Sequence, residues 1–136
     1  MLKEILSISG KPGLQKLISN SSNAIIVESL TDGKRFPAYS NSKIIALADI
    51  SIYTETEDLP LKEIFKRMYE KENGKQAISH KDATEKIIAY FTEIVPEYDK
   101  ERVYTSDMKK VIQWYNLLVD KNLLDFNEEE ENKENQ

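Results

Sequence analysis

The spacing of apolar positions along the chain changes near residue 57. Before that point, short apolar runs of strand length are separated by turn residues. After it, apolar positions recur every three or four residues, as a helix face requires. In the first part, Gly13 to Ser19 alternates imperfectly and ends in the polar cluster Asn20-Ser21-Ser22-Asn23, a turn signal. Ala24 to Leu30 is short and rich in β-branched residues, so it reads as a strand. Asp32-Gly33 follows, and this pair predicts a two-residue type I′ hairpin turn with positive φ at both positions. Arg35 to Tyr39 is the return strand. Pro37 has no N–H, which places that strand at a sheet edge or a bulge. Asp49 to Thr54 alternates cleanly and reads as the last strand of the module. Lys43 to Ala48 reads as a helical turn, and so does Met1 to Leu6, where Leu2, Ile5 and Leu6 share a helical face. Strands this short predict an SH3-like β-barrel or a strongly bent sheet over residues 1–57, closed to protect its edges.

Over residues 58–126 the pattern predicts three helices. Leu61, Ile64, Phe65 and Met68 form the first apolar stripe, with Pro60 in the first turn and Asn73-Gly74 as the stop. Asp82-Ala83-Thr84-Glu85 reads as a capping box for the second helix. Its stripe is Ile87, Ile88, Phe91, Ile94 and Val95, ended by Pro96. Ser106 is the expected cap of the third, whose buried face is Met108, Val111, Ile112, Tyr115 and Leu118 or Val119. Leu123, Leu124 and Phe126 are expected to fold back on its end, and Tyr98 and Tyr104 to anchor the preceding loop. The fold class is therefore α+β.

Charge changes this picture once it is divided along the chain. The 136 residues carry a formal charge of −5. Residues 1–57 hold six basic and six acidic side chains, and residues 58–126 hold twelve and thirteen. The acidity is concentrated in 127–136, which has five acidic residues, one basic and none that is apolar; the composition predicts a disordered, solubilising tail. There is no cysteine, hence no disulfide framework or thiolate chemistry, which fits a cytoplasmic protein. Met1-Leu2-Lys3-Glu4 lacks the apolar core of a signal peptide, and no apolar run approaches the ~20 residues needed to cross a bilayer.

Candidate chemistry is sparse. The one histidine, His80, precedes a predicted helix without ligand-spaced partners, and a surface or capping role suits it. Gly10-Lys11-Pro12-Gly13 lacks phosphate-loop spacing and reads as a tight turn. Asp32 and Asp49 have no calcium-loop spacing around them. The carboxylates alternate with lysines as on solvated helix faces. No cofactor, metal site or enzymatic activity is expected.

Two constellations remain for binding. One is Lys11, Lys16, Lys34, Arg35 and Lys43 with Phe36, Tyr39 and Tyr53 on the β-module. Basic residues around aromatics suit single-stranded nucleic acid, while aromatic shelves on small barrels also take peptides. The other is the aromatic helical half, in which Trp114 lies about 100° from Tyr115 on the third helix and is an expected interface anchor. A helix-turn-helix over 83–122 is disfavoured, because its connection is about ten residues where that motif uses three or four. Two readings stand. The chain is a non-enzymatic interaction or adaptor protein that binds another protein through the β-module or the aromatic helical surface. Alternatively it is an RNA- or ribosome-associated protein that uses the basic rim. The near-neutral body favours the first, since nucleic-acid affinity rests on phosphate neutralisation.

Several segments carry a resemblance as well. Leu2 to Leu14, Lys34-Arg35-Phe36-Pro37-Ala38, Asp49 to Thr54 and Pro60-Leu61-Lys62-Glu63 are similar to an uncharacterised bacterial family known only as a domain of unknown function. Tyr98-Asp99, Arg102-Val103-Tyr104, Ser106-Asp107 and Trp114 to Leu118 extend the resemblance to about Asp125. It implies a β-rich first half, a helical second half and a bacterial cytosolic origin, and it assigns no catalytic residue. Gln15 stands where the family pattern calls for an aromatic residue, which weakens a stacking role for that strand.

Overall fold

The computed structural model describes residues 2–11, 13–39 and 42–126, and the expected disorder of 127–136 lies outside these. The chain divides into two compact units, Met1–Ile50 and Ser51–Gln136.

The first unit is a five-stranded antiparallel sheet: β1 (Ile5–Ile8), β2 (Gln15–Asn20), β3 (Ala24–Ser29), β4 (Arg35–Tyr39) and β5 (Ile44–Ala46), in spatial order β4-β3-β2-β1-β5. A 3-10 turn, Leu47–Asp49, follows. Four strands meander, and the fifth returns to the free side of the first. No β4–β5 ladder closes the ring among the described residues, so β4 and β5 are the margins. One face of the sheet is a continuous apolar cluster: Phe36 and Ala38 of β4 and Ile44 and Ala46 of β5 with Leu6, Ile8, Leu17, Ile25 and Val27.

Of the two expected helical turns, the first ends in a strand and the second is half strand and half 3-10 turn. Ile5 to Ile8 is held between β2 and β5, with Leu6 opposite both Gln15 and Ala46. Backbone bonding on both sides overrides a helical spacing that Leu2, Ile5 and Leu6 satisfy only locally. Lys43 to Ala48 splits into β5 and the 3-10 turn, because the edge of β1 is there to pair with. Pro37 is at a margin, as expected, opposite Ile26.

The hairpin between β3 and β4 differs from a type I′ turn. Ser29 N–H donates to Lys34 O at 2.8 Å and Gly33 N–H donates to Ser29 O at 2.9 Å, enclosing Leu30 to Gly33. The Asp32 carboxylate takes the Lys34 N–H at 3.0 Å, so Asp32 acts through its side chain and needs no positive φ. Gly33 alone is left-handed, at φ +75, and a Cβ there would meet no atom within 4 Å. Gly33→Val therefore costs backbone strain only, an expected ~1–2 kcal/mol. Gly33→Asn, which tolerates this region, should cost less. Equal chemical-denaturation midpoints for wild type and the valine variant would refute the assignment.

The second unit begins with a small hairpin, β6 (Ser51–Ile52) against β7 (Leu59–Pro60). The alternation in Asp49 to Thr54 thus marks a strand of this unit and not the end of the β-module, and the division falls after Ile50 instead of residue 57. Alternation fixes which face of a strand is buried but not which strand it pairs with. Buried Thr54 organises the loop between the two strands: its hydroxyl donates to Glu57 O and accepts the Thr56 N–H at 3.2 Å.

Three helices follow: α1 (Leu61–Lys71), α2 (Thr84–Ile94) and α3 (Thr105–Asp120). Their buried faces are Leu61, Ile64, Phe65 and Met68; Ile87, Tyr90, Phe91 and Ile94; and Met108, Val111, Ile112, Tyr115 and Leu118. Full burial of each large apolar side chain contributes about 1.5–3 kcal/mol. Asn73 and Gly74 end α1 at φ +55 and +78. A Cβ on Gly74 would come within 3.2 Å of the Tyr69 ring.

The expected caps are displaced. Ala83, not Asp82, precedes α2, and the Asp82 carboxylate accepts the Ser79 N–H at 3.2 Å and pairs with Lys86 at 3.4 Å. Tyr104 precedes α3, with Asp107 accepting its N–H at 2.9 Å, so Ser106 lies inside the helix. Of the loop tyrosines only Tyr98 is an anchor, with its ring 5.4 Å from Phe91; Tyr104 is 66% exposed. Phe126 meets Tyr69 of α1 edge-on at 5.5 Å.

Candidate interaction surfaces

Strand register decides what the candidate residues can do. Residues of one parity, including Phe36, face the core cluster. The opposite parity forms the outer face, which is covered at Ile5 of β1 and open toward β3 and β4. On it, Lys16 of β2, Glu28 of β3 and Arg35 of β4 lie side by side. Arg35 Nε donates to Glu28 Oε1 at 3.2 Å. One carboxylate therefore sits between two of the five expected cations. Cross-strand opposite charges of this kind stabilise a sheet by a few tenths of a kcal/mol.

The other three cations are spread over the connections. Lys11 rests with Nζ 4.9 Å from the Phe36 ring centroid, a cation–π contact. Lys43 O accepts the Ser9 N–H at 2.9 Å beside the β1–β2 connection. Lys34 is exposed in the β3–β4 turn, next to Asp32. Phe36 is half-buried in the core cluster, so its ring is a packing element carrying Lys11 and not an open shelf.

Tyr53 lies in the second unit and not in the β-module, and Trp114 lies on α3 of that unit, in the helical half as expected. One face of the Tyr53 ring already carries the Arg102 guanidinium, 4.2 Å from its centroid. Arg102 is also paired with Asp99 at 2.8 Å, which holds the Asp99 carboxyl below the usual carboxylate range. Tyr53 O accepts the Asp99 N–H and Glu97 O accepts the Glu55 N–H, both at 2.9 Å, so this cluster fastens 53–55 to 97–99. Trp114 is half-buried on α3 beside fully buried Tyr115.

Of the expected binding aromatics Tyr39 is the most open, at 56% exposure, against 45% for Tyr53 under its guanidinium. The surroundings of Tyr39 were missed in the sequence. The β2–β3 ladder slips by one residue between Leu17 and Ser19, a bulge that sets Ile18 and Ser19 opposite Ile26. Ile26 in turn lies opposite exposed Pro37. Tyr39, Pro37, Ile26 and Ile18 (36% exposed) thus form an apolar corner of the outer face. Strand parity in Ala24 to Ser29 was the available signal for Ile26. The same parity, running from inward Leu17, was the signal for Ile18; only the bulge, which keeps Ser19 on that face as well, leaves no such trace.

Elsewhere in the second unit the polar groups serve the fold. Arg67 forks onto Glu97 at 3.0 and 3.1 Å and reaches Ile94 O, the end of α2, at 3.1 Å. The guanidinium lowers the Glu97 carboxyl. Asn116 of α3 accepts the Ala77 N–H at 2.7 Å and donates to Ile78 O at 2.9 Å, pinning the α1–α2 connection. Among the described residues no group of three or more His, Cys, Asp and Glu is placed to hold a metal ion, and no helix is long and apolar enough to cross a membrane.

Residues 2–47 match the domain of unknown function DUF5606, and residues 50–118 match the domain of unknown function DUF6852. A solution NMR structure from Bacteroides vulgatus, solved by the Northeast Structural Genomics Consortium, is 49% identical with a TM-score of 0.75, covering 93% of this chain and 91% of that one. The chain belongs to this family. The resemblance read from Leu2 to Asp125 is thereby established, with a bacterial homologue. The two matched regions meet at residues 47–50, where the two units divide. No curated protein matches the chain.

Proposed function

We propose that this is a non-enzymatic, cytoplasmic interaction protein whose β-unit docks another protein on the outer face of its sheet. The observation that carries this reading is the apolar corner of Tyr39, Pro37, Ile26 and Ile18, with the Lys16–Glu28–Arg35 row alongside it. Apolar groups with a polar, charge-compensated margin suit a protein partner. Phosphate binding needs uncompensated cations, and Glu28 is paired with one of the five, Arg35, and stands beside a second, Lys16. The absence of cysteine suits a reducing compartment.

The test is a photo-crosslinking residue at position 39, with one at exposed Tyr104 as control, in native lysate with and without nuclease. Nuclease-resistant protein adducts at 39 and few at 104 are expected. Tyr39→Lys should cut recovery of the same partner at least about tenfold, as loss of an interface anchor does. Salt-sensitive binding of single-stranded RNA, abolished by reversing Lys34 and Arg35 to Glu, would replace this reading with the nucleic-acid one.

A further inference from the structure

The two margins of the sheet are built differently, and the difference follows from which backbone groups point outward. Ser29 N–H bonds to Lys34 O, so alternation along the ladder turns the backbone groups of Phe36 and Ala38 toward β3 and those of Arg35, Pro37 and Tyr39 outward. The middle outward position of β4 is therefore Pro37, which has no N–H to offer. That margin is blocked at its centre.

At β5 the same reasoning starts from Ser9 N–H donating to Lys43 O, in register with the β1–β5 ladder. Lys43 and Ile45 face β1, and the N–H and C=O groups of Ile44 and Ala46 face outward. Among the described residues no backbone bond between elements reaches the N–H of either. Ile45 puts its side chain on the outer face at 52% exposure.

We propose that two copies of this chain pair antiparallel through their β5 margins, with Ile45 on the two-fold axis. The register is self-complementary. With Ile45 opposite Ile45, Ile44 faces the copy's Ala46 on both sides, and the four outward groups of each copy make four hydrogen bonds. The central pair is then a non-hydrogen-bonded one, whose side chains approach closest, so the two exposed isoleucines cover each other. The charges suit the same arrangement. Exposed Lys43 precedes β5 and exposed Asp49 follows it, and an antiparallel copy brings each toward its opposite at both ends. Because β4 is blocked, such pairing stops at two copies and does not run on as a fibre. The contact spans three residues on each side, well short of a standard interface, so the dimer is weak and dependent on concentration.

Sedimentation equilibrium of the full chain from micromolar to millimolar tests this. A monomer–dimer equilibrium is expected, with the Ile44 and Ala46 amides gaining hydrogen-exchange protection as concentration rises. Ala46→Pro suits the local φ of −74 and removes two of the four bonds, so it should weaken dimerisation on the order of 30-fold. Lys43→Asp and Asp49→Lys should each weaken it, and the double reversal should restore it; this series keeps the test decisive if the proline variant misfolds. A chain that stays monomeric at millimolar concentration overturns the proposal. So does a dimer indifferent to all three changes, or capture of a foreign strand by the β5 margin in place of a second copy.

Discussion

Pro37→Val is expected to leave the fold intact and to convert a small, soluble species into one that grows with concentration and precipitates. The valine restores the missing N–H at the centre of the β4 margin and adds strand propensity. Arg35 and Tyr39 already turn their backbone groups outward on either side, so the substitution completes a continuous row of pairing groups. The Pro37 side chain lies on the exposed outer face, so its replacement leaves no cavity. Light scattering against concentration, with circular dichroism to confirm an unchanged fold, checks this. Scattering identical to wild type up to millimolar concentration would show that Pro37 does not guard the margin.

The largest loss of stability is expected from Tyr115→Ala. Tyr115 is fully buried, its ring lies 6.2 Å from Phe65, and its hydroxyl donates to Lys75 O at 2.8 Å. Truncating a buried aromatic of this kind costs about 3–5 kcal/mol, enough to lower the melting midpoint by more than ~10 °C. Tyr115→Phe keeps the ring and leaves the Lys75 carbonyl unpaired, for about 1–2 kcal/mol. Thermal unfolding of the two variants separates packing from the hydrogen bond; equal losses would mean that the hydroxyl alone carries the site.

The same phenol gives a pH signature. Burial pushes Tyr115 up, and the Glu72 carboxylate pushes it further. Tyr90, which donates its hydroxyl to Glu72, is raised by the same two causes in the same order. A phenol of the unfolded chain ionises near pH 10. The stability that these neutral phenols contribute is therefore fully present below about pH 10 and lost as pH rises toward their folded values. Tyr115→Phe should flatten that alkaline decline, which denaturant titrations between pH 8 and 11 would read.

The helical half was legible because its apolar spacing is regular and its stops are chemically distinctive. The positive φ at Asn73 and Gly74 is what that dipeptide is suited to. Its caps were not legible. Tyr104 is no standard cap, and Asp82 spends its carboxylate on Ser79 and Lys86. In the β-unit the strands could be read but their pairing could not. Leu2, Ile5 and Leu6 read as a helical turn until a partner strand lies on each side of Ile5 to Ile8, and Ser51-Ile52 alternates identically whichever unit receives it. The candidate site suffered most. Its cations can be named from the sequence, yet only register reveals that Glu28 stands between Lys16 and Arg35. Ser19 shares the face of Ile18 only through a bulge that depends on two strands at once.

The stop at the end of α1 also bears on how the molecule ages. Asparagine followed by glycine is the dipeptide most prone to deamidation, because the glycine nitrogen attacks the asparagine side chain to close a succinimide ring. In the folded protein that nitrogen is occupied: Gly74 N–H donates to Tyr69 O at 2.9 Å, and the adjacent backbone is locked in the left-handed conformation. The chemistry proceeds only when the helix end opens. Isoaspartate formed at Asn73 would thus be a clock that counts the openings of one helical turn.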